Sequence, residues 1–219
     1  MAVGRIRVTI QPKIVYLADR RAGLTDRAFG EAWAEHGRLA MGLPIWRNMV
    51  RYAQCDPLAL AGLAKPCDAI GLVWYRSLDA MAAIAREPAL RQPLLDDELR
   101  TFSCPVREVA MLTHERVLLA GPPGGLKLFV FDPSEHPSLG VAQGPGLRAA
   151  SVSRLLRDDY TSTSRLPYRS VLECWYEDEA SLQAAVAGHR DVLRGEGRLA
   201  ACAFERPLYG YGQGAVRPT

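Results

Sequence analysis

Hydrophobic and polar positions first mark a strand over Pro12 to Asp19, PKIVYLAD, where β-branched and aromatic residues dominate. RRAGLTD comes next, its Gly23 marking a loop and its Thr25 a helix N-cap. From Asp26 to about Ala40, Phe29, Ala32, Trp33, His36 and Ala40 recur at helical spacing on one face, and Pro44 ends that region. WRNMVRYAQC, Trp46 to Cys55, alternates as a second strand, and DAIGLVWY, Asp68 to Tyr75, reads as a third. Ser77 caps a helix carrying Leu78, Met81, Ala82 and Ala85. Pro88 and Pro93 are expected to break the next segment into short helical pieces up to Thr101, before a fourth strand from Val106 to about Thr113. The predicted order is β-α-β-β-α-β.

The pattern then begins again. GPPGG, Gly121 to Gly125, is a flexible joint, and LKLFVF, Leu126 to Phe131, is another strand. VWYRSLDAMAAIA from Val73 and CWYEDEASLQAAVA from Cys174 share a Trp-Tyr pair followed by an amphipathic helix. Aligned on Lys13 and Lys127, the second copy is shorter by roughly the length of the first helix. The corresponding segment, DPSEHPSLGVAQGPG, is dense in Pro and Gly and unsuited to a helix. Residues 1–118 therefore read as one repeat and 119–219 as a degenerate copy lacking most of its first helix. Each unit makes an antiparallel sheet with helices on one face, so the other face needs cover. The expected fold class is α+β: two ferredoxin-like repeats whose sheets pack as an α+β barrel. Such a chain needs no second copy to cover its sheets, and a further homodimer stays open.

Composition narrows the function classes. The 219 residues are 48% hydrophobic and 23% charged, which suits a globular chain with a core. Apolar runs such as Val117 to Gly121 fall far short of the ~20 residues of a membrane helix. The opening MAVGRIRVTIQ has no apolar leader core, so a cytoplasmic protein with no membrane partner is expected. Net charge is +3 with scattered arginines, which argues against nucleic acid as a partner. The five cysteines, at 55, 67, 104, 174 and 202, contain no C-x-x-C pair and read as reduced thiols. No nucleophile elbow, phosphate loop, zinc motif or dinucleotide fingerprint is present, and GYGQG, Gly210 to Gly214, reads as a tail.

KIVYLADRRAGLTDRAFGEAWAEHGRLA resembles the opening of the EthD family, within the dimeric α+β barrel superfamily. The matching residues are Gly23, Leu24, Thr25, Phe29, Trp33, His36 and Gly37. CDAIGLVWYRSLDAM looks like the family's strand that ends in an aromatic pair, and DDELRTF, Asp96 to Phe102, is similar to its Asp-Glu-x-x-x-Phe element. The resemblance spans roughly residues 10 to 115; residues 120 to 213 match only in outline. It implies the barrel fold. Relatives across the superfamily include muconolactone isomerases, polyketide cyclases, dehydratases, cofactor-free quinone-forming monooxygenases and haem enzymes, and fold alone does not choose among them.

His36 is the leading candidate residue. It lies on the helix face that meets the sheet, and the family's histidine at this point looks onto a cleft. An imidazole can take a proton from carbon and return it to oxygen, although a core histidine bonded to a carbonyl also fits. Asp68 could orient His36 or simply sit at the start of its strand in water. Tyr52 and Arg51 could receive an oxyanion, with Trp33, Trp74, Tyr16 and Phe29 lining the substrate space. His114, His136 and His189 carry less; His189 alone could serve a haem. The expectation is a cofactor-independent enzyme, with no metal, acting on an aromatic or polyketide-like carbon acid by isomerisation, cyclisation or dehydration. A cofactor-free monooxygenase and a non-catalytic binding barrel are the alternatives.

Overall fold

Each half of the chain builds a four-stranded antiparallel sheet, and the edges left by one half are paired by those of the other. The computed structural model describes residues 11–60, 62–156 and 163–210. In the first half, β1 (Gln11–Ala18), β2 (Met49–Leu58), β3 (Ala69–Tyr75) and β4 (Ala110–Leu119) lie in the order β4-β1-β3-β2. In the second, β5 (Gly125–Asp132), β6 (Leu147–Leu155), β7 (Ser170–Tyr176) and β8 (Leu199–Tyr209) lie in the matching order β8-β5-β7-β6. Antiparallel pairing of β2 with β8 and of β4 with β6 closes the eight strands into one barrel. Closure leaves no edge strand exposed. This is the α+β barrel that the sequence pattern predicts.

The helices lie outside. They are α1 (Asp26–Gly42), α2 (Leu78–Ala85), α3 (Pro88–Thr101), α4 (Glu179–Gly188) and α5 (Arg190–Leu193). Thr25 Oγ1 accepts from the Ala28 N–H at 3.2 Å and Ser77 Oγ from the Ala80 N–H at 3.0 Å, so both predicted caps form. No described helix is long and apolar enough to cross a membrane.

Several boundaries differ from expectation. Pro44–Asn48 and Val106–Val109 are 3-10 turns, so β2 and β4 start later than predicted, and β4 runs on to Leu119. Pro93 does not divide α3. It is exposed in the helix's second turn, where the carbonyl deprived of a partner can face water. DPSEHPSLGVAQGPG forms no helix beyond a short turn at Leu139–Val141. The predicted GYGQG tail lies, past Gly210, outside the described residues.

Strand alternation sends one set of side chains to the helices and the other into the barrel. The lumen holds an apolar cluster (Val15, Ile70, Leu72, Phe129, Phe131) and a chain of ion pairs. Lys13 bonds Glu115 at 2.8 Å and also Glu173; Lys127 bonds Glu173 and Glu205, both at 2.6 Å. Arg51 joins at Glu115, 2.9 Å away, which makes three cations and three anions. The pattern is duplicated. Lys13 stands opposite Trp74 in register and Lys127 opposite Trp175, each ammonium lying over the facing indole. The Trp74 and Trp175 indole N–H groups donate to Glu115 and Glu205, both at 2.8 Å. Glu173 breaks the symmetry, because the matching position on β3 is Leu72.

Burial alone would raise the Glu115 and Glu173 carboxyls, but the lysine ammoniums lower both, Glu115 well below the usual carboxylate range. Burial likewise opposes the Lys127 charge, and Glu173 and Glu205 outweigh it and raise its pKa. Breaking a buried pair by removing one partner costs about 3–5 kcal/mol. Lys127→Met is therefore expected to lower unfolding free energy by about that much, measured by urea denaturation at neutral pH. A loss under ~1 kcal/mol would contradict the role given to this network.

Candidate active site

Helix α1 presents Phe29, Trp33, His36, Gly37 and Ala40 to the sheet, the stripe its periodicity predicts. His36 is only 5% exposed. Its Nδ1 lies 2.8 Å from Asp97 Oδ2 on α3, and the Phe102 ring packs edge-on against the imidazole. Hydrogen bonding to His36, and then to Arg100, holds the Asp97 carboxyl below the usual range. An ionised carboxylate offers only acceptors, so Nδ1 carries the hydrogen and a neutral His36 keeps its lone pair on Nε2.

Beside His36 lies a cavity of about 60 Å³, bordered by Tyr16, Tyr52, Glu98, Trp46 and Leu94. Burial raises the pKa of the Tyr16 and Tyr52 hydroxyls. Tyr16 Oη accepts from the Trp33 indole N–H at 3.4 Å, and Tyr52 Oη from Gln54 Nε2 at 3.1 Å. Each phenol therefore accepts a hydrogen bond and still carries its own proton. Two glycines make room: a side chain at Gly71 would collide with the Tyr16 ring, and a Cβ at Gly37 would come within 3.0 Å of Gln54 Nε2. Glu98, 7% exposed, accepts from the Val106 N–H at 3.0 Å, and burial pushes its pKa up. An oriented imidazole, a buried carboxyl and two buried phenols at one cavity are together a set suited to moving protons.

The structure divides the sequence-predicted residues. His36, Tyr16 and Tyr52 border one cavity, with Trp33 and its stacked partner Phe29 behind them. Asp68 does not orient His36. It accepts from the Arg20 N–H at 3.0 Å and from Lys65 at 3.1 Å, fastening the start of β3 to the end of β1. Arg51 and Trp74 do not line the His36 cavity either. Val73 and Tyr75 border it, so Trp74 between them points into the lumen, and Arg51 stands opposite Trp74 for the same reason. Asp97 and Glu98 were missed as functional candidates. The available signal was their place in DDELRTF, where Leu94, Glu98 and Thr101 share the inward face of a helix.

His189 caps the end of α4 and lines neither the cavity beside His36 nor the one at the barrel end. Towards the sheet, Val141, Leu182 and Val186 fill the space. Among the described residues no group of three or more His, Cys, Asp or Glu is placed to hold a metal ion.

The closed eight-stranded barrel, with a cleft between sheet and helices, defines the fold as an α+β barrel. Residues 21–103, the segment that supplies His36 and Asp97, match the family model of the EthD domain. A candidate monooxygenase from Fusobacterium nucleatum subsp. nucleatum has a similar structure, with a TM-score of 0.51 and 8% identity over 90% of this chain and 92% of that one. A candidate chlorite dismutase also gives 0.51, with 11% identity over 90% of this chain and 95% of the other. At these identities the likeness is one of fold. No curated protein matches the sequence significantly.

The depressed Asp97 pKa has a testable sign. Its pairing with His36 stabilises the fold above the ordinary Asp value of about 4 and is lost as pH falls through the lowered folded value. The stability gap between wild type and Asp97→Asn should therefore narrow as thermal melts move from neutral pH into the acid range. A gap independent of pH would show that Asp97 contributes no charge to the pair.

Proposed function

We propose that the protein is a small-molecule enzyme whose chemistry is proton transfer at an aromatic or polyketide-like carbon acid, with His36 as base and acid. The observation that carries this reading is the buried His36–Asp97 pair bordering the same cavity as the Tyr16–Tyr52 hydroxyls. Nε2 takes a proton from carbon, and the electron pair of the broken C–H bond delocalises onto the neighbouring oxygen. A phenol proton of Tyr16 or Tyr52 stabilises that oxyanion. His36, now cationic beside the Asp97 carboxylate, returns the proton to another carbon in isomerisation, to the carbonyl oxygen that the carbanion has attacked in cyclisation, or to a β-hydroxyl that leaves as water as its C–O bond breaks. Tyr52 and Tyr16 act as donors, while Trp33 and Phe29 keep the cleft dry.

A space of about 60 Å³ holds roughly two waters at ~30 Å³ each, so substrate binding requires the wall to move. Helix α3 is the wall with a weak point: Pro93 removes one of its backbone hydrogen bonds, next to Leu94 at the cavity. The same reading makes residues 119–219 a degenerate repeat, in which a loop replaces the helix that would carry a second His36.

Deuterium uptake from D2O into a panel of anthrone-like and 1,3-dicarbonyl carbon acids, followed by NMR, tests the reading directly. His36→Gln keeps most of the volume but cannot shuttle protons, so exchange should fall about 10²–10⁴-fold with melting temperature little changed. Full exchange by His36→Gln would remove the histidine from the mechanism. Stoichiometric O2 uptake with the same substrates would assign the cofactor-free monooxygenase instead, since phenol deprotonation by this dyad also begins that reaction. Tight binding without exchange or oxidation would assign a carrier.

A further inference from the structure

A cavity larger than the one beside His36 lies on the other side of the sheet. It occupies about 330 Å³ at one end of the barrel, within the ~300–1,000 Å³ typical of small-ligand sites. Trp74, Trp175, Glu115 and Arg51 form its polar floor, and the Pro122-Pro123 joint between the halves forms part of its wall. Val117 and Leu119, at the end of β4, flank it and are 57% and 43% exposed. Apolar side chains held in water at the mouth of a cavity are surface that a ligand can bury.

The floor determines which ligand charge fits. A carboxylate has about four acceptor positions. Glu115 uses them all: Oε1 accepts from Lys13 and from Ser151 at 3.1 Å, and Oε2 from Arg51 and from the Trp74 indole. It therefore has no place for a ligand cation. Arg51 is the cationic group of the wall; its guanidinium, which donates to Glu115 and Gln11, lies over Trp74, 4.3 Å from the ring centroid, with its side chain 30% exposed. Nothing in this floor can shuttle a proton at neutral pH, because the Glu115 carboxyl is held ionised by its partners.

We propose that this end of the barrel is a second ligand site, which binds a planar aromatic acid of one or two rings and does not convert it. The rings lie between the Trp175 side and the Val117–Leu119 rim, and the acid group faces Arg51. The sheet separates this site from His36, so the proposal stands independently of the reaction assigned there. Trp74 nevertheless sits between Val73 and Tyr75, which border the His36 cavity, so the two sites share strand β3.

Titration of the full chain with 2-naphthoate and with 2-naphthylmethylammonium, followed by calorimetry, tests the site. One naphthoate per chain is expected, bound at least tenfold more tightly than the ammonium compound. Leu119→Glu, a change at an exposed position, should weaken naphthoate at least tenfold and Leu119→Lys less than that, since its cation attracts the acid group, while His36→Gln leaves it unchanged. Absence of saturable binding, equal affinity for both ions, or retention by Leu119→Glu would each overturn the proposal. Loss of binding in His36→Gln would do so too, by moving the naphthoate to the other cavity. The comparison of the two ions uses the wild-type chain and so decides the question even if a variant fails to fold.

Discussion

Lys13 and Lys127 occupy the middle of a barrel where an unpaired charge would cost several kcal/mol, and the rest of the structure depends on how they are neutralised. Lys127 finds both its carboxylates, Glu173 and Glu205, in its own half of the chain. Lys13 does not: it has Glu115 beside it, and it also reaches across the lumen to Glu173 on β7. Ser151 on β6, the strand paired with β4 at the seam between the halves, completes the coordination of Glu115. Polar satisfaction therefore spans both halves, and the barrel closes as one cooperative object. Zippering of β2 to β8 and β4 to β6 supplies the backbone bonds, while the ion pairs penalise any register that would leave a charge alone.

A closed sheet with this interior acts as a partition between two chemically different spaces. On the lumen face Glu115 has all its acceptor positions filled and is held ionised, which suits that face to binding more than to catalysis. On the helix face the titratable groups are fewer and less committed: His36 keeps one ring nitrogen, the phenols keep their protons, and burial raises the Glu98 carboxyl. That difference is why the reaction is assigned to the cleft under α1 and α3 although the barrel-end cavity is larger.

The halves share strand order but not the cover of their sheets. Where α1 covers the first sheet with His36, a Pro- and Gly-rich loop covers the second, and Val141 plugs the gap against Tyr176 and Leu182. One half carries the cleft, and the other completes the barrel that holds it rigid. A site on a rigid sheet with second-side support from ion pairs is the arrangement that keeps catalytic groups in register.

Much of this was legible in the sequence. The Trp-Tyr echo at Trp74 and Trp175, the caps at Thr25 and Ser77, and the stripe from Phe29 to Ala40 each report a local period, and local periods are what side-chain patterning encodes. The stripe alone put His36 against a sheet. Which carboxylate would meet it was beyond that reach. Asp97 arrives from α3, and only the packing of two helices on one sheet brings positions 36 and 97 together, whereas Asp68 is carried to the far end of β3. Alternation equally could not say which face of β2 and β3 would be lumen, so Arg51 and Trp74 looked like neighbours of Tyr52. Closure of the barrel decided it: a face becomes interior only when a sheet distant in sequence comes round to cover it.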